Sequence, residues 1–281
     1  MSAVLSQVGP VGSGADWLVS WLLDNGGGAF ALIRQLVDGL QQGVNGVLAA
    51  PPPWLFAVAV AAFGLWRISG GFALFCLLGL NLVLWMGLWS PMLATLALVI
   101  SASLLALALG LPIGILAARQ RLVWRLTRPV LDLMQTMPAF VYLIPAVMFF
   151  STGQVPAIIA TLIFAMPPVV RLTVLGLKQV PQDLLEAGQA FGCSSWQLLL
   201  KVELPSALPT LMAGVNQTIM LSLSMVVITS MIGGGGLGDV VLRGIQQLNV
   251  GLGFEGGLAV VILAIILDRL SQSLVKAPQR P

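Results

Sequence analysis

Few residues in this chain are suited to chemistry. The sequence holds no histidine, which removes the usual general base, proton shuttle and imidazole ligand. Two cysteines, Cys76 and Cys193, cannot make a metal site by themselves and read as small apolar fillers. No G-x-x-x-x-G-K-[ST] phosphate loop occurs, so the chain has no ATPase signature of its own. Gly233, Gly235 and Gly238 formally satisfy G-x-G-x-x-G. A dinucleotide site, however, needs a strand before that motif and a helix after it, and here a long apolar run precedes it. The plain reading is a flexible re-entrant or gate-adjacent turn, which glycine permits. No catalytic residue, metal ligand or bound cofactor is expected.

Charged groups within the apolar runs are equally scarce. Asp132, Arg171 and Asp268 fall near one end of their runs and Glu255 near the other. An ion-driven carrier keeps carboxylates or histidines at mid-membrane to bind its coupling ion, so their scarcity points to energy delivered from outside the membrane. Arg171 either pairs with Asp132 or snorkels to the interface, and snorkelling is the favoured reading. Asn216, beside Gln217 and Thr218, either lines a path or bonds neighbouring helices.

The most polar stretch is Asp183 to Pro205, DLLEAGQAFGCSSWQLLLKVELP. Pro181 can open a helix there, because its missing N–H costs nothing at that position. Leu184, Ala187, Gly188 and Phe191 recur at i, i+3, i+4 and i+7, one apolar helical face. Gly192 can stop the piece in a left-handed cap. Ser194 with Gln197 forms a capping box that starts a second piece, carrying Trp196, Leu199 and Leu200 on one side. Leu204-Pro205 is expected to end it. Two short amphipathic helices joined at a glycine form a docking surface for a soluble partner.

The order Glu186-Ala187-Gly188, three residues, Gly192, nine residues, Val202-Glu203-Leu204-Pro205 resembles the EAA loop of ABC-importer permeases. It departs from that pattern at Gly188, where the family has Ala, and at Val202, where it has Ile. The resemblance implies that Glu186, Ala187, Gly188, Gly192, Leu204 and Pro205 belong to a loop seated in a groove of a cytoplasmic ATPase subunit, which transmits the ATPase closure to the membrane spans. It also implies a type I importer core over roughly 91–270, a homodimer, and an extracytoplasmic substrate-binding protein, with ATP used by the partner ATPase alone. Ser230 through Gly238 resembles the same family at the corresponding place.

Gln135-Thr136-Met137-Pro138 and Tyr142-x-x-Pro145 look like the glycine betaine and choline branch of those permeases. Two prolines free backbone carbonyls toward a cavity, which a membrane permits where protein or water covers them. A passage through Gln135, Pro138, Tyr142 and Asn216 would suit a quaternary ammonium, which donates no hydrogen bond and favours π faces. Tyr142 reads equally well as a packing residue. By resemblance the substrate is glycine betaine, choline or a related osmoprotectant. An importer of another small solute such as an amino acid is the alternative, and an ATP-independent carrier a more distant one.

These residues need a membrane scaffold to hold them. The chain is 58% hydrophobic and 8% charged, against about 25% charged in soluble proteins. It reads as an all-α polytopic membrane protein with about seven transmembrane helices. Apolar segments run over 54–68, 72–89, 92–118, 130–150, 155–177, 208–232 and 257–270. Basic residues set the orientation. With the arginine-rich loop of Arg119, Arg121, Arg125 and Arg128 inside, alternation also puts Arg67, Arg171, Lys178, Lys201, Arg269, Lys276 and Arg280 inside. That is eleven of the 13 basic residues, leaving Arg34 and Arg243 outside. A basic composition of this kind marks topology rather than nucleic-acid binding. The expected layout is an extracytoplasmic amphipathic tail over 1–53, two spans over 54–90, and a permease core over 91–272 with its cytoplasmic coupling loop at 178–207. A cytoplasmic tail follows over 273–281. In the tail, Asp16 to Leu23 and Ala29 to Gln42 read as two short surface helices or a loosely ordered lead. If the first segment only dips into the interface, six spans remain and the tail moves inside.

Overall fold

The structure, a computed structural model, describes residues 10–273; the ends of both tails, with Lys276 and Arg280, lie outside them. The described residues are helical almost throughout, without a strand. In order the helices are α1 Pro10–Ala49, α2 Pro53–Arg67, α3 Gly70–Trp85, α4 Trp89–Arg119, α5 Arg121–Thr136, α6 Ala139–Phe150 and α7 Gln154–Lys178. They continue with α8 Gln182–Ala190, α9 Ser195–Leu198, a π turn at Leu199–Glu203, α10 Leu204–Ser224, α11 Val226–Ser230, α12 Gly236–Gln246 and α13 Val250–Ser273.

Four helical stretches are long and apolar enough to cross a membrane: α4, α7, Ser195–Ser224 and α13. The number rises to six if each of two bent pairs is one span, α1 with α2 at 91° and α5 with α6 at 103°, while α3 is a shorter apolar helix. All seven expected segments are therefore helical, but two differ in form. The run 130–150 breaks at Met137-Pro138, so the expected arginine-rich loop is instead the front of α5. With 12 residues, α6 alone is about 18 Å long, short of a ~30 Å hydrocarbon core. The run 208–232 breaks at Met225.

The centre is α4 packed along α7, with α10 packed against both; Ser103 Oγ of α4 donates to Ser222 Oγ of α10 at 3.3 Å. Two glycines one turn apart let α4 and α7 close up. A Cβ on Gly110 would stand 3.0 Å from Val169 Cγ1, and one on Gly114 would stand 2.6 Å from Thr173 Cβ. Small residues at this spacing are how helices gain contact in lipid, where burial of apolar surface supplies no drive. Thr218 Oγ1 on α10 donates to the Ala165 carbonyl of α7 at 3.0 Å. Beside this trio, Cys76, Leu80 and Val83 of α3 pack with Met92, Leu237, Ala259 and Ile262, so Cys76 is the apolar filler its type implies.

The leading segment is one 40-residue helix rather than two, and it does not lie free of the core. Phe30 stacks on Phe149 with centroids 4.5 Å apart, Val37 is buried, and Gln41 Oε1 accepts from Ser101 Oγ of α4 at 2.8 Å. Gly26–Gly28 is carried inside the helix. The later glycine run is not a loose turn either. Leu237 N donates to Thr95 Oγ1 at 2.8 Å, Gly153 N donates to the Ile232 carbonyl at 2.8 Å, and Gly236 at φ +71 turns the chain into α12.

Candidate functional site

The loop from Pro181 to Pro205 forms two helices as its sequence implies, and the glycine between them is a helix cap. Gly192 sits at φ +77, Gly192 N donates to the Gln189 carbonyl at 2.9 Å, and Cys193 N donates to the Gly188 carbonyl at 3.0 Å. This pair of bonds is a Schellman motif, which needs a left-handed residue at that position. Ser194 then starts α9 with both arms of a capping box: Ser194 N donates to Gln197 Oε1 at 2.8 Å, and Gln197 N donates to Ser194 Oγ at 3.4 Å.

The apolar face of α8 does not pack as one surface. Gly188 is turned inward, and its missing Cβ would stand 2.6 Å from Leu198 Cδ1 and 3.6 Å from Val202 Cγ2. An alanine there would have to displace the end of the Leu198 side chain. Leu184, Ala187 and Phe191 face outward, Phe191 at 90% exposure. Glu186 is exposed, accepts from Gln182 Nε2 at 2.9 Å and has no ion-pair partner among the described residues. The second helix likewise divides its residues: Leu199 is buried, whereas Trp196 and Leu200 are exposed. The two helices therefore present Leu184, Phe191, Trp196 and Leu200 outward, without a partner among the described residues.

Pro205 does not end the second helix. The Leu204 N–H reaches back five residues to the Leu199 carbonyl, and the wide turn carries the helix past the proline into α10. Ser195–Ser224 is thus one 30-residue helical run. Leu199 anchors its base in a cluster with Leu177, Val180, Ala207 and Leu211, backed by Leu111 and Ile115 of α4. Arg119, the last residue of α4, adds a polar tie: its Nη2 donates to the Ser195 carbonyl at 3.1 Å and lies 3.3 Å from Glu203 Oε2. Sequence reasoning placed Arg119 only as a topology charge and did not single out Glu203. A basic residue ending an apolar run and an acid within Val202-Glu203-Leu204-Pro205 were the available signals.

Gln135, Pro138 and Tyr142 come together at the α5–α6 elbow. Tyr142 Oη donates to the Met134 carbonyl at 2.7 Å, satisfying the end of α5, and its ring packs with Leu143, Ala146, Ala160 and Met225. Arg171 pairs rather than snorkels, with Nη2 2.7 Å from Asp132 Oδ1 and Nη1 donating to Gln135 Oε1 at 2.7 Å. Asn216 is bonded elsewhere: its Nδ2 donates to Asp268 Oδ1 at 3.0 Å, and its Oδ1 accepts from Ser271 Oγ. It thereby ties α10 to α13.

Residues 110–279 match the family described as binding-protein-dependent transport system inner membrane component. The glycine betaine transport system permease protein OpuAB of Bacillus subtilis is 48% identical over 268 residues, 94% of either chain. The glycine betaine/proline betaine transport system permease protein ProW of Escherichia coli is 50% identical over 265 residues, 94% of this chain and 73% of that protein. The glycine betaine/carnitine transport permease protein GbuB of Listeria monocytogenes is 47% identical over 272 residues, covering 95% of this chain and 96% of that protein. Among solved structures, a chain of the MetNI methionine ABC transporter in inward-facing conformation superposes with a TM-score of 0.62 at 25% identity. That match covers 69% of this chain and 96% of that one. The helical architecture, the two-helix loop running into a span, and sequence identity along nearly the whole chain agree: this chain belongs to the inner membrane components of binding-protein-dependent transport systems, the permease subunits of ABC importers.

Proposed function

We propose that this chain imports glycine betaine, choline or a related quaternary ammonium osmoprotectant, driven by ATP hydrolysed on a partner subunit. Identity of 47–50% to permeases named for glycine betaine, over 94–95% of this chain, carries the substrate class. The coupling role of Glu186 to Pro205 is supported by exposed apolar residues on two capped helices, the second continuous with a span. In this reading α8 and α9 seat in a groove of the cytoplasmic ATPase. Closure of the ATPase pushes on α9, and α10 moves with it because the π turn joins them without a break. The chain binds no cofactor. Two copies assemble around the path, with an extracytoplasmic binding protein delivering substrate, the α1 end outside and the end of α13 in the cytoplasm. We assign Gln135, Pro138, Tyr142 and Asn216 to the path as a proposal; Gln135 is held by Arg171, Asn216 by Asp268 and Ser271, and the Tyr142 hydroxyl by α5, which leaves the Tyr142 ring for a cation.

The test is uptake of labelled choline and glycine betaine in transporter-null cells carrying this permease with its ATPase and binding protein, beside a version with a dead ATPase. ATP-dependent accumulation of either compound is expected, and their ratio names the preferred substrate. Uptake indifferent to the dead ATPase would point to a carrier. No uptake of either by an assembled complex would remove the substrate class and leave the family standing.

A further inference from the structure

The elbow of α5 and α6 leaves a cleft that the transport reading does not use. It lies between α5 and α7, about 460 Å3 in volume, lined among others by Trp124, Arg128, Asp132, Arg171, Leu175 and Lys178. A second hollow shares Trp124, Arg128 and Asp132 and adds Arg121 and Arg125. Five cations thus surround one carboxylate. Asp132 is already engaged by Arg171 at 2.7 Å and approached by Arg128 Nε at 3.9 Å. Lys178 Nζ stands 5.6 Å from the Trp124 ring centroid, and neither it nor Arg121 nor Arg125 forms an ion pair among the described residues. The cluster therefore carries positive charge that nothing among the described residues neutralises.

The surroundings choose the anion. Leu122 and Leu126, one turn apart on α5, are each 65% exposed, and Leu175 on the wall of the cleft is also exposed. An amphipathic helix with a cationic row beside an apolar row, and a tryptophan flanking the cationic row on its other side, lies in the plane of a membrane surface. A soluble anion would meet the charges and leave the leucines bare. We propose that the α5–α7 cleft binds the phosphate headgroup of an acidic phospholipid of the inner leaflet, its acyl chains running past Leu122, Leu126 and Leu175. Arg121, Arg125 and Arg128 meet the headgroup from α5, Lys178 closes the cleft from α7, and Trp124 forms the floor. The assignment to the inner leaflet rests on the cytoplasmic placement of the coupling loop.

The experiment uses the purified assembly of permease, ATPase and binding protein in detergent, with native mass spectrometry after incubation with phosphatidylglycerol, phosphatidylcholine or inorganic phosphate. Phosphatidylglycerol is expected to stay bound, phosphatidylcholine to dissociate, and millimolar inorganic phosphate not to compete. Arg125→Gln with Arg128→Gln is expected to weaken phosphatidylglycerol retention by about tenfold or more, and Arg243→Gln on α12 to leave it unchanged. Equal retention of the two lipids, or retention unaffected by the double substitution, would overturn the proposal, and displacement by inorganic phosphate would make the cleft a free-anion site. Failure of the importer reading has a separate signature, because it abolishes ATP-dependent uptake without touching lipid retention.

Discussion

Gly192 shows how little room the loop leaves for change. Nothing lies within 4 Å of where its Cβ would be, so a side chain there meets no steric wall, and the constraint is the backbone at φ +77. An L-residue in that conformation costs on the order of 1 kcal/mol. Gly192→Ala is therefore expected to fold and keep part of its uptake. Gly192→Asp adds a carboxylate at the tip, between the two outward faces, and is expected to abolish ATP-driven uptake while the complex still reaches the membrane. Both are read by transport and by membrane content in the same cells. Full uptake by the Asp variant would remove the coupling role of the loop. Gly188 differs, since its limit is the Leu198 methyl 2.6 Å from the missing Cβ, the far end of a side chain that can rotate.

Among the elements, the loop is joined to more than the span that follows it. Arg119 fastens the end of α4 to both ends of the short stretch Ser195 to Glu203, so in the proposed coupling α4 and α10 receive the same push. An exposed ion pair contributes only about 0–1 kcal/mol, so losing it should not unfold the protein. Arg119→Glu is expected to uncouple: ATP hydrolysis continues at its basal rate while stimulation by loaded binding protein falls. Glu203→Arg added to it is expected to restore part of that stimulation, an outcome that repacking alone would not give. The loop itself was readable because caps are local; Gly192, Ser194 and Gln197 act within four residues of one another. At Met137-Pro138 the proline signalled a break, but not that it would be a sharp elbow while Pro145 stays inside α6, because the bend is held partly by Arg171 of α7, which lies outside the segment and contacts Asp132 and Gln135. Passage of the helix through Pro205 was hidden for a related reason. A proline ordinarily signals a stop, and only the i to i−5 bond at Leu199 lets the helix continue. Likewise the glycine pair of α4 gains meaning only when Val169 and Thr173 are set against it.

For the molecule as a whole, that pair is the seam on which the architecture depends. Gly114→Leu would force α4 away from α7 at its tightest point, and overpacking of this kind costs about 1–3 kcal/mol or more. Loss of the assembled complex is expected, measured as co-purification of the ATPase with the permease. The run Ser195–Ser224 also has a mechanical meaning. Thirty residues make a rod of roughly 45 Å. A swing of about 10° at its base carries the far tip through nearly 8 Å by the same geometry. The rod ends at Ser224, and beyond the break at Met225 the Ile232–Leu237 segment is fastened to α4 through Thr95 and to the turn at Gly153. In the proposed coupling the break at Met225 acts as a joint, which lets the rod swing about its base while the segment beyond it stays fastened to α4.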